Sequence, residues 1–559
     1  MKSFAPLRLC GITTTEKTRR RRSRNVFEIL EKHELEEKLV DGVPFTVLIL
    51  GLARSKLLIQ IAKDVLVATK FSRLLLILAC SISFASSHPA SDYRMAQAEQ
   101  NKDGETVRAL LNQHVDVTTP LPDGSTAIAW AAHWDDLSTA DLLVRAGANV
   151  NSANDEGVTP LWLACRNGSA AMVEKLLAAG ANPNATGLPG GESVLHRCAE
   201  TGNVDAVKAL LARGAKINAT ENGGQTPLMW AIEERHPAVA RFLIEHGADI
   251  NIRSKGGFDA LLFAARQGDI DSGRLLLERG ANVNDKTRNG LSALLVAIDS
   301  GREQFGVFLV GKGADPNAVD NRGVSALHFT VQQGLSDLNG VAHDPQYAAT
   351  DYLFRPNMIE LAEALLNHGA NPNIGILKRI PPLRIGDRPK VSLIGASPFL
   401  VAAATGDVQM LKLLLSKGAD PGLTSKDGTT PLMAAAGLSK TEDRTKDEED
   451  GALEALMLLV ELGGDVNAVN KSGLTAMHGA AYTGSNKIVQ FLADHGAKLD
   501  VQDKFGETPL SIAAGDPNEL ADDFSRRVHP STEALIRKLL GDSTSFVAAA
   551  HRQSDPKSE

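Results

Sequence analysis

A glycine recurs every 33 or 34 residues through the first half of this chain's body, at Gly147, Gly180, Gly214, Gly247, Gly280 and Gly313, then after longer intervals at Gly369, Gly418 and Gly463, and again 33 residues on at Gly496. Each glycine closes the same phrase, as in "EGVTPLWLACRNGSAAMVEKLLAAGANPN" and "GGQTPLMWAIEERHPAVARFLIEHGADIN". A period of this length marks an array of stacked supersecondary units, none of which can bury its apolar face alone. In each phrase Thr159 or Thr226 can cap a helix with its hydroxyl, Pro160 or Pro227 sits where a helix needs no N–H, and Leu161 or Leu228 enters the core. Small pairs such as Ala131 and Ala132, or Ala264 and Ala265, let neighbouring helices approach closely. A second helix follows with apolar residues at helical spacing, Val207, Leu210 and Leu211 in one unit and Val239, Phe242 and Leu243 in another. The closing glycine supplies the left-handed backbone that commonly ends a helix. Asn289-Gly290 and its counterparts supply the turn of a short hairpin before the next threonine.

These residues resemble the ankyrin repeat, whose consensus runs close to D-x-x-G-x-T-P-L-H-x-A-A, then a second helix and G-A-D-x-N. The match covers residues 120–514 in about eleven copies. The resemblance implies an all-α-dominated repeat solenoid with short β-hairpin fingers, over residues 88–541. Residues 92–118, with "ETVRALLNQHVDV", read as a degenerate N-terminal cap, and "STEALIRKLLG" as the last helix. Inserts interrupt the period near 335–357, 374–395, 438–450 and 516–530. Two are charged: a basic finger with Lys378, Arg379, Arg384 and Arg388, and an acidic loop, "LSKTEDRTKDEED", predicted to lie between the helices of repeat nine. Such charge runs are expected to face water or to pair with each other.

No reactive constellation emerges. His196, His328 and His478 fill the consensus "TPLH" slot, and His246, His368 and His495 each precede a closing glycine, so all six are expected to be structural. "GVFLVGKG" lacks the Ser/Thr of a phosphate loop and falls in a second helix. Cys165 and Cys198 lie near equivalent "AA" positions in adjacent repeats. With a helix spacing of about 10 Å, they are expected to be buried, reduced thiols too far apart to bond. No cofactor, metal or catalytic residue is nominated.

What remains is a surface. In the family the hairpin tips and the residues after "AA" line a concave face that binds other proteins. By position this nominates His133 and Trp134 in the first full repeat, then Arg166, Glu233, Glu234, Arg266 and Tyr482. The hairpins add Phe258, Arg288, Arg322 and Phe505. Trp130, Trp230, Phe263 and Phe329, in the slot between the "H" and the "AA" of the consensus, are expected to serve the framework. The expected partner is another protein, bound by a monomer. Residues 1–87 carry 15 Lys/Arg against 8 Asp/Glu, and the rest carry 44 against 59. An acidic body of this kind argues against nucleic acid.

"RLLLILACSISFASSHPA", residues 73–90, has the positive flank, apolar run and small-residue cleavage site of an export signal. Residues 67–87 are therefore expected to be a signal peptide, with maturation at about His88. Residues 1–66 would then be an extension, unstructured or outside the natural translation start. The competing expectation is an uncleaved anchor over 71–87, and "ILAC" at Cys80 only approximates a lipidation motif. Residues 542–559 are expected as a disordered tail. The whole resembles bacterial exported ankyrin proteins, and implies a non-catalytic protein-interaction scaffold of the cell envelope, periplasmic or secreted. An enzyme or redox-accessory protein with a site built by the inserts of repeats seven to nine, and a host-directed effector, are the alternatives.

Overall fold

The computed structural model describes residues 92–187, 190–331, 334–335, 356–378, 391–438, 440, 443–515 and 528–541. Residues from Asp92 onward form one unit. The expected signal segment, the extension before it and the C-terminal tail lie outside the described residues. A cap pair of helices, Arg94–Gln100 and Gly104–Asn112, precedes eleven further pairs, from Ala127–Trp134 with Leu137–Arg145 to Pro509–Ala514 with Pro530–Leu539. No helix among the described residues is long and apolar enough to cross a membrane.

The helix starts follow the chemistry of the phrase. The Thr159 hydroxyl accepts from the Trp162 N–H at 3.2 Å and the Thr226 hydroxyl from Met229 at 3.3 Å, each with proline next in the chain. In the "TPLH" slot the imidazole does two jobs. His328 Nδ1 accepts from the Ser325 N–H at 3.3 Å, and its Nε2–H donates to the Ala396 carbonyl of the following repeat at 2.9 Å. His196 and His478 repeat the arrangement with Gln225 and Glu507. Burial holds all three below the usual histidine range, His328 down to about 4. His246, His368 and His495 hydrogen-bond the carbonyl one turn back, each at 2.8 Å. The structural reading of these six histidines holds.

Successive repeats are clipped by a ladder that sequence reasoning missed. Asparagine at the end of "GAxxN" donates its amide N–H to the closing glycine of the next repeat and accepts, through its carbonyl, a backbone N–H two residues further on. Asn284 does this with Gly313 and Asp315, at 3.1 and 2.7 Å. The same clip spans the interrupted repeats: Asn317 reaches Gly369 and Asn371, and Asn373 reaches Gly418 and Asp420. Hairpin turns are joined likewise, with the Lys378 N–H donating to the Arg322 carbonyl at 2.9 Å and that of Lys471 to Asp427 at 2.7 Å. After repeat eight the asparagine place holds Gly422. Replacing Asn373 by alanine removes two such bonds at once and is expected to cost about 1–2 kcal/mol, checked by chemical denaturation.

Two expectations are corrected. Cys165 and Cys198 form a disulfide, with their Cα atoms 4.5 Å apart and both side chains fully buried. The expected 10 Å is a distance between helix axes. When axes stand ~9 Å apart and each Cα lies ~2.3 Å from its own axis, facing Cα atoms come within about 4.5 Å. Small residues on both sides permit that approach. The acidic segment is also not simply a loop. Lys446–Glu461 is one helix of 16 residues, whose first turns take up the end of the insert. Thr445 and Glu448 form a reciprocal capping box there, and Asp447, Glu448 and Glu449 fall in the first turn, where the helix dipole favours negative charge.

Candidate protein-binding face

Along the first helices, two positions per repeat flank the small pair and can present side chains to a partner. In repeats one to six the position just before the pair holds Trp130, Leu163, Arg197, Trp230, Phe263 and Val296. The position after it holds His133, Arg166, Glu200, Glu233, Arg266 and Asp299. Large and charged groups dominate both rows. In repeats eight to ten the corresponding rows shrink to Val401, Ala434 and Gly479, and to Ala404, Gly437 and Tyr482.

The shrinkage is explained by the chain's own inserts. Repeat seven's first helix is only Ala326–Phe329 and repeat nine's only Pro431–Ala435, because the chain leaves the helix early in both. The departing segment of repeat seven crosses repeat eight: a Cβ on Gly334 would collide with the Val401 carbonyl, and Leu335 is buried. In repeat nine Leu438 is 1% exposed, and a Cβ on Gly479 would lie 2.7 Å from the Leu438 nitrogen. Arg444 Nη2 holds this segment by donating to the Ala435 carbonyl at 2.5 Å, and Lys440 pairs with Glu448 at 3.1 Å. The insert acids that follow pair forward, Glu449 and Asp450 with Lys487 of repeat ten. In repeats eight to ten, then, Val401, Ala404, Ala434, Gly437 and Gly479 of the two rows are buried, and Tyr482 is half-buried.

In the open half the nominated residues come together in two clusters. His133, Trp134 and Arg166 lie together: Arg166 Nη2 lies 2.6 Å from His133 Nδ1, and the His133 and Trp134 rings are 4.3 Å apart, edge to face. Two residues that sequence reasoning did not nominate for binding join them. Trp130 stacks on Trp134 at 5.8 Å, and Lys102 of the cap repeat places its Nζ 3.9 Å from the centre of the Trp134 ring. Trp134 is oriented by its Nε1–H, which donates to the Glu99 carbonyl at 3.2 Å. Burial, with help from Arg166 and Lys102, holds His133 below the usual histidine range, so it is neutral near pH 7 and can accept from the guanidinium. The second cluster pairs Glu233 with Arg266, whose guanidinium lies 4.7 Å from the Phe263 ring and 5.7 Å from that of Phe258. Between the clusters Arg197 lies between the Trp162 and Trp230 rings, at 4.8 and 5.4 Å, and is neutralised by Glu200 and by Glu192 at 3.8 Å.

The remaining nominees are dispersed. Glu234 and Arg288 are exposed, and Phe505 is 86% exposed at a hairpin tip of the last repeat. Arg322 folds back on Asp320 at 2.7 Å, and Lys378 Nζ donates to the Asn321 carbonyl at 2.9 Å, fastening the base of the basic finger to the preceding turn. Arg379, Arg384 and Arg388 lie outside the described residues. Tyr482 is half-buried against the core, and its carbonyl accepts from His529 at 3.1 Å. Of the four framework nominees, Phe263 and Phe329 are buried and Trp130 and Trp230 are half-buried. Among the described residues no group of three or more His, Cys, Asp or Glu is placed to hold a metal ion.

Glu99, 2% exposed beneath Trp134, carries a carboxyl pushed up to about 7 by burial and by nearby Asp136. A folded-state value above the unfolded one means that the folded protein retains a proton the unfolded chain has lost. The stabilisation is therefore complete at acid pH and declines as pH rises from 4.5 to about 7. Glu99→Gln is expected to gain stability over the wild type on going from about pH 5 to about pH 8, read from denaturation midpoints at the two values.

Comparison with known families bears on this architecture. The family described as "Ankyrin repeats (3 copies)" matches residues 95–187, 186–254, 261–376 and 448–521, and "Ankyrin repeat" matches 395–426. Among similar proteins, mouse "Ankyrin repeat and SOCS box protein 16" is 32% identical over 21% of this chain and 25% of its own length. Human "Transient receptor potential cation channel subfamily A member 1" is 24% identical over 30% of this chain and 16% of its own length. The match to "Putative ankyrin repeat protein L271" of Acanthamoeba polyphaga mimivirus is 28% identical over 22% of this chain and 16% of that protein. The chain thus spans a quarter or less of the length of these relatives. The crystal structure of the human ASB11 ankyrin repeat domain is similar over 38% of this chain and 96% of that one, at 28% identity and a TM-score of 0.35.

Proposed function

The chain belongs to the ankyrin repeat family, and from that premise we propose that it is a non-catalytic scaffold that holds a partner protein on the first-helix side of its N-terminal six repeats. Ankyrin repeats typically bind other proteins and are generally non-catalytic. The observation that carries the reading is the contrast between the two halves. Through repeats one to six most positions of the two rows hold large or charged side chains, many of them partly exposed, while in repeats eight to ten the equivalent positions, Tyr482 apart, are small or aliphatic and buried. Trp and Arg are the residue types that most often anchor interfaces.

The test is crosslinking of the full chain to a partner captured from its native source, followed by mapping of the linked residues. Links on the 133–302 side support the proposal, and His133→Ala with Arg166→Ala should weaken capture with the denaturation midpoint little changed. Links confined to the second helices would refute it.

We further propose that the scaffold works outside the cytoplasm, as an exported bacterial envelope or secreted protein. Support comes from the signal-like segment ahead of the array and from the Cys165–Cys198 disulfide, since such bonds persist in oxidising compartments. N-terminal sequencing of the natural protein should find a start near His88. Recovery from a reducing cytoplasm with residues 1–66 attached would overturn export.

A further inference from the structure

We propose that Lys102 and Arg166, set around Trp130, His133 and Trp134, form an anion-receiving anchor that takes a carboxylate-bearing segment of the partner protein, with a neighbouring apolar side chain of that segment lying on the Trp134 indole. The inference rests on the scaffold reading above and names the chemistry of the segment it binds.

The basis is where the rows' charges are neutralised and where they are not. Arg197 has Glu200 and Glu192, and Arg266 has Glu233. Arg166 is different: its hydrogen-bond partner is the neutral ring of His133, and Lys102 lies over an indole. Among the described residues neither cation has a carboxylate within ion-pair distance, although Asp and Glu outnumber Lys and Arg in the array. Both are exposed, while Trp130, His133 and Trp134 between them are half-buried. An arginine bonded to a neutral acceptor keeps its full charge and further N–H groups for an incoming carboxylate, and Arg is suited to that bidentate geometry.

The anchor is also held in place before any partner arrives. Trp134 is pinned by the Glu99 carbonyl, and Arg166 by His133. Lys102 has φ +58°, at the inter-helix turn that glycine fills in repeats two, three, five and six, at Gly168, Gly202, Gly268 and Gly301. Repeats one and four also place a non-glycine residue there, Asp135 and Arg235 at φ +58° and +59°, so the turn sets where the Lys102 side chain leaves the backbone in a conformation the array uses repeatedly. Positive charge beside aromatic faces, in an otherwise acidic array, selects for an acidic segment carrying an apolar neighbour.

The experiment uses the full chain and a fluorescein-labelled peptide of glutamate and leucine, with a glutamine–leucine peptide of the same length as control. Binding is read by anisotropy and by tryptophan emission, since all four tryptophans of the chain lie in repeats one to four. The glutamate peptide should bind in a salt-sensitive manner and the glutamine peptide about tenfold more weakly. Lys102→Ala with Arg166→Ala should cost the glutamate peptide about tenfold while leaving the denaturation midpoint unchanged. Equal binding of the two peptides, no binding of either, or unchanged affinity in the double variant would overturn the anchor. An Arg266→Ala protein separates the two ideas. If it alone loses the peptide, the face stands and the anchor falls; if crosslinked partners also avoid the face, both fall.

Discussion

Replacing Leu228 by alanine is expected to cost about 3 kcal/mol, whereas Arg288→Ala should change stability by no more than ~0.5 kcal/mol. Leu228 is 1% exposed at the start of the first helix of repeat four, where the continuous core of the array passes through it. Truncation removes apolar contacts and leaves a cavity that two flanking repeats cannot close without moving. In a stacked array each repeat shares its core with its neighbours, so the loss should spread to repeats three and five. Hydrogen exchange would register that spread as faster opening on both sides. Arg288 is exposed on a hairpin turn, and its removal leaves no buried group unsatisfied. Denaturant unfolding of the two variants checks the pair of values, and equal losses would mean that the leucine is not part of a shared core.

The second large effect is expected on reduction. The Cys165–Cys198 bond joins residues 33 apart in the chain. Closing a loop of that size restricts the unfolded ensemble by about 3 kcal/mol in the chain-entropy account. A reductant should therefore lower the denaturation midpoint of the wild type and leave that of a Cys165→Ala, Cys198→Ala double variant where it is. A wild-type midpoint indifferent to reductant would refute the bond. Repeats two and three also carry Arg166 and Arg197, so the reduced protein should lose order first in the face proposed to bind the partner.

The sequence discloses whatever each repeat decides locally. Thr159 and Thr226 cap helices, Pro160 and Pro227 follow them, and Gly147, Gly180 and Gly247 take positive φ, all because the cause lies within a few residues of the effect. The capping box at Thr445 and Glu448 was equally local, and it carried a helix start that a charge run concealed. What could not be read were contacts between repeats. Cys165 meets Cys198 because small pairs bring facing backbones together, a distance that depends on packing angle rather than on spacing in the chain. Lys102 reaches Trp134 only through the turn geometry of a cap repeat whose sequence barely resembles the others. Gly479 looks like a weak spot in a helix until Leu438 is seen to lie against it.

The asparagine clip has a consequence for how such a chain can change. Asn317 grips the next closing glycine across an interruption with the same two bonds that Asn284 uses across an ordinary interval. The stack therefore behaves as a ruler whose graduations do not move when material is added between them. A segment spliced in between the helices of one repeat alters what that repeat displays while leaving the spacing of every other repeat as it was. The places where this chain already carries such additions are accordingly where loops of foreign design could be exchanged with the least disturbance to the remainder.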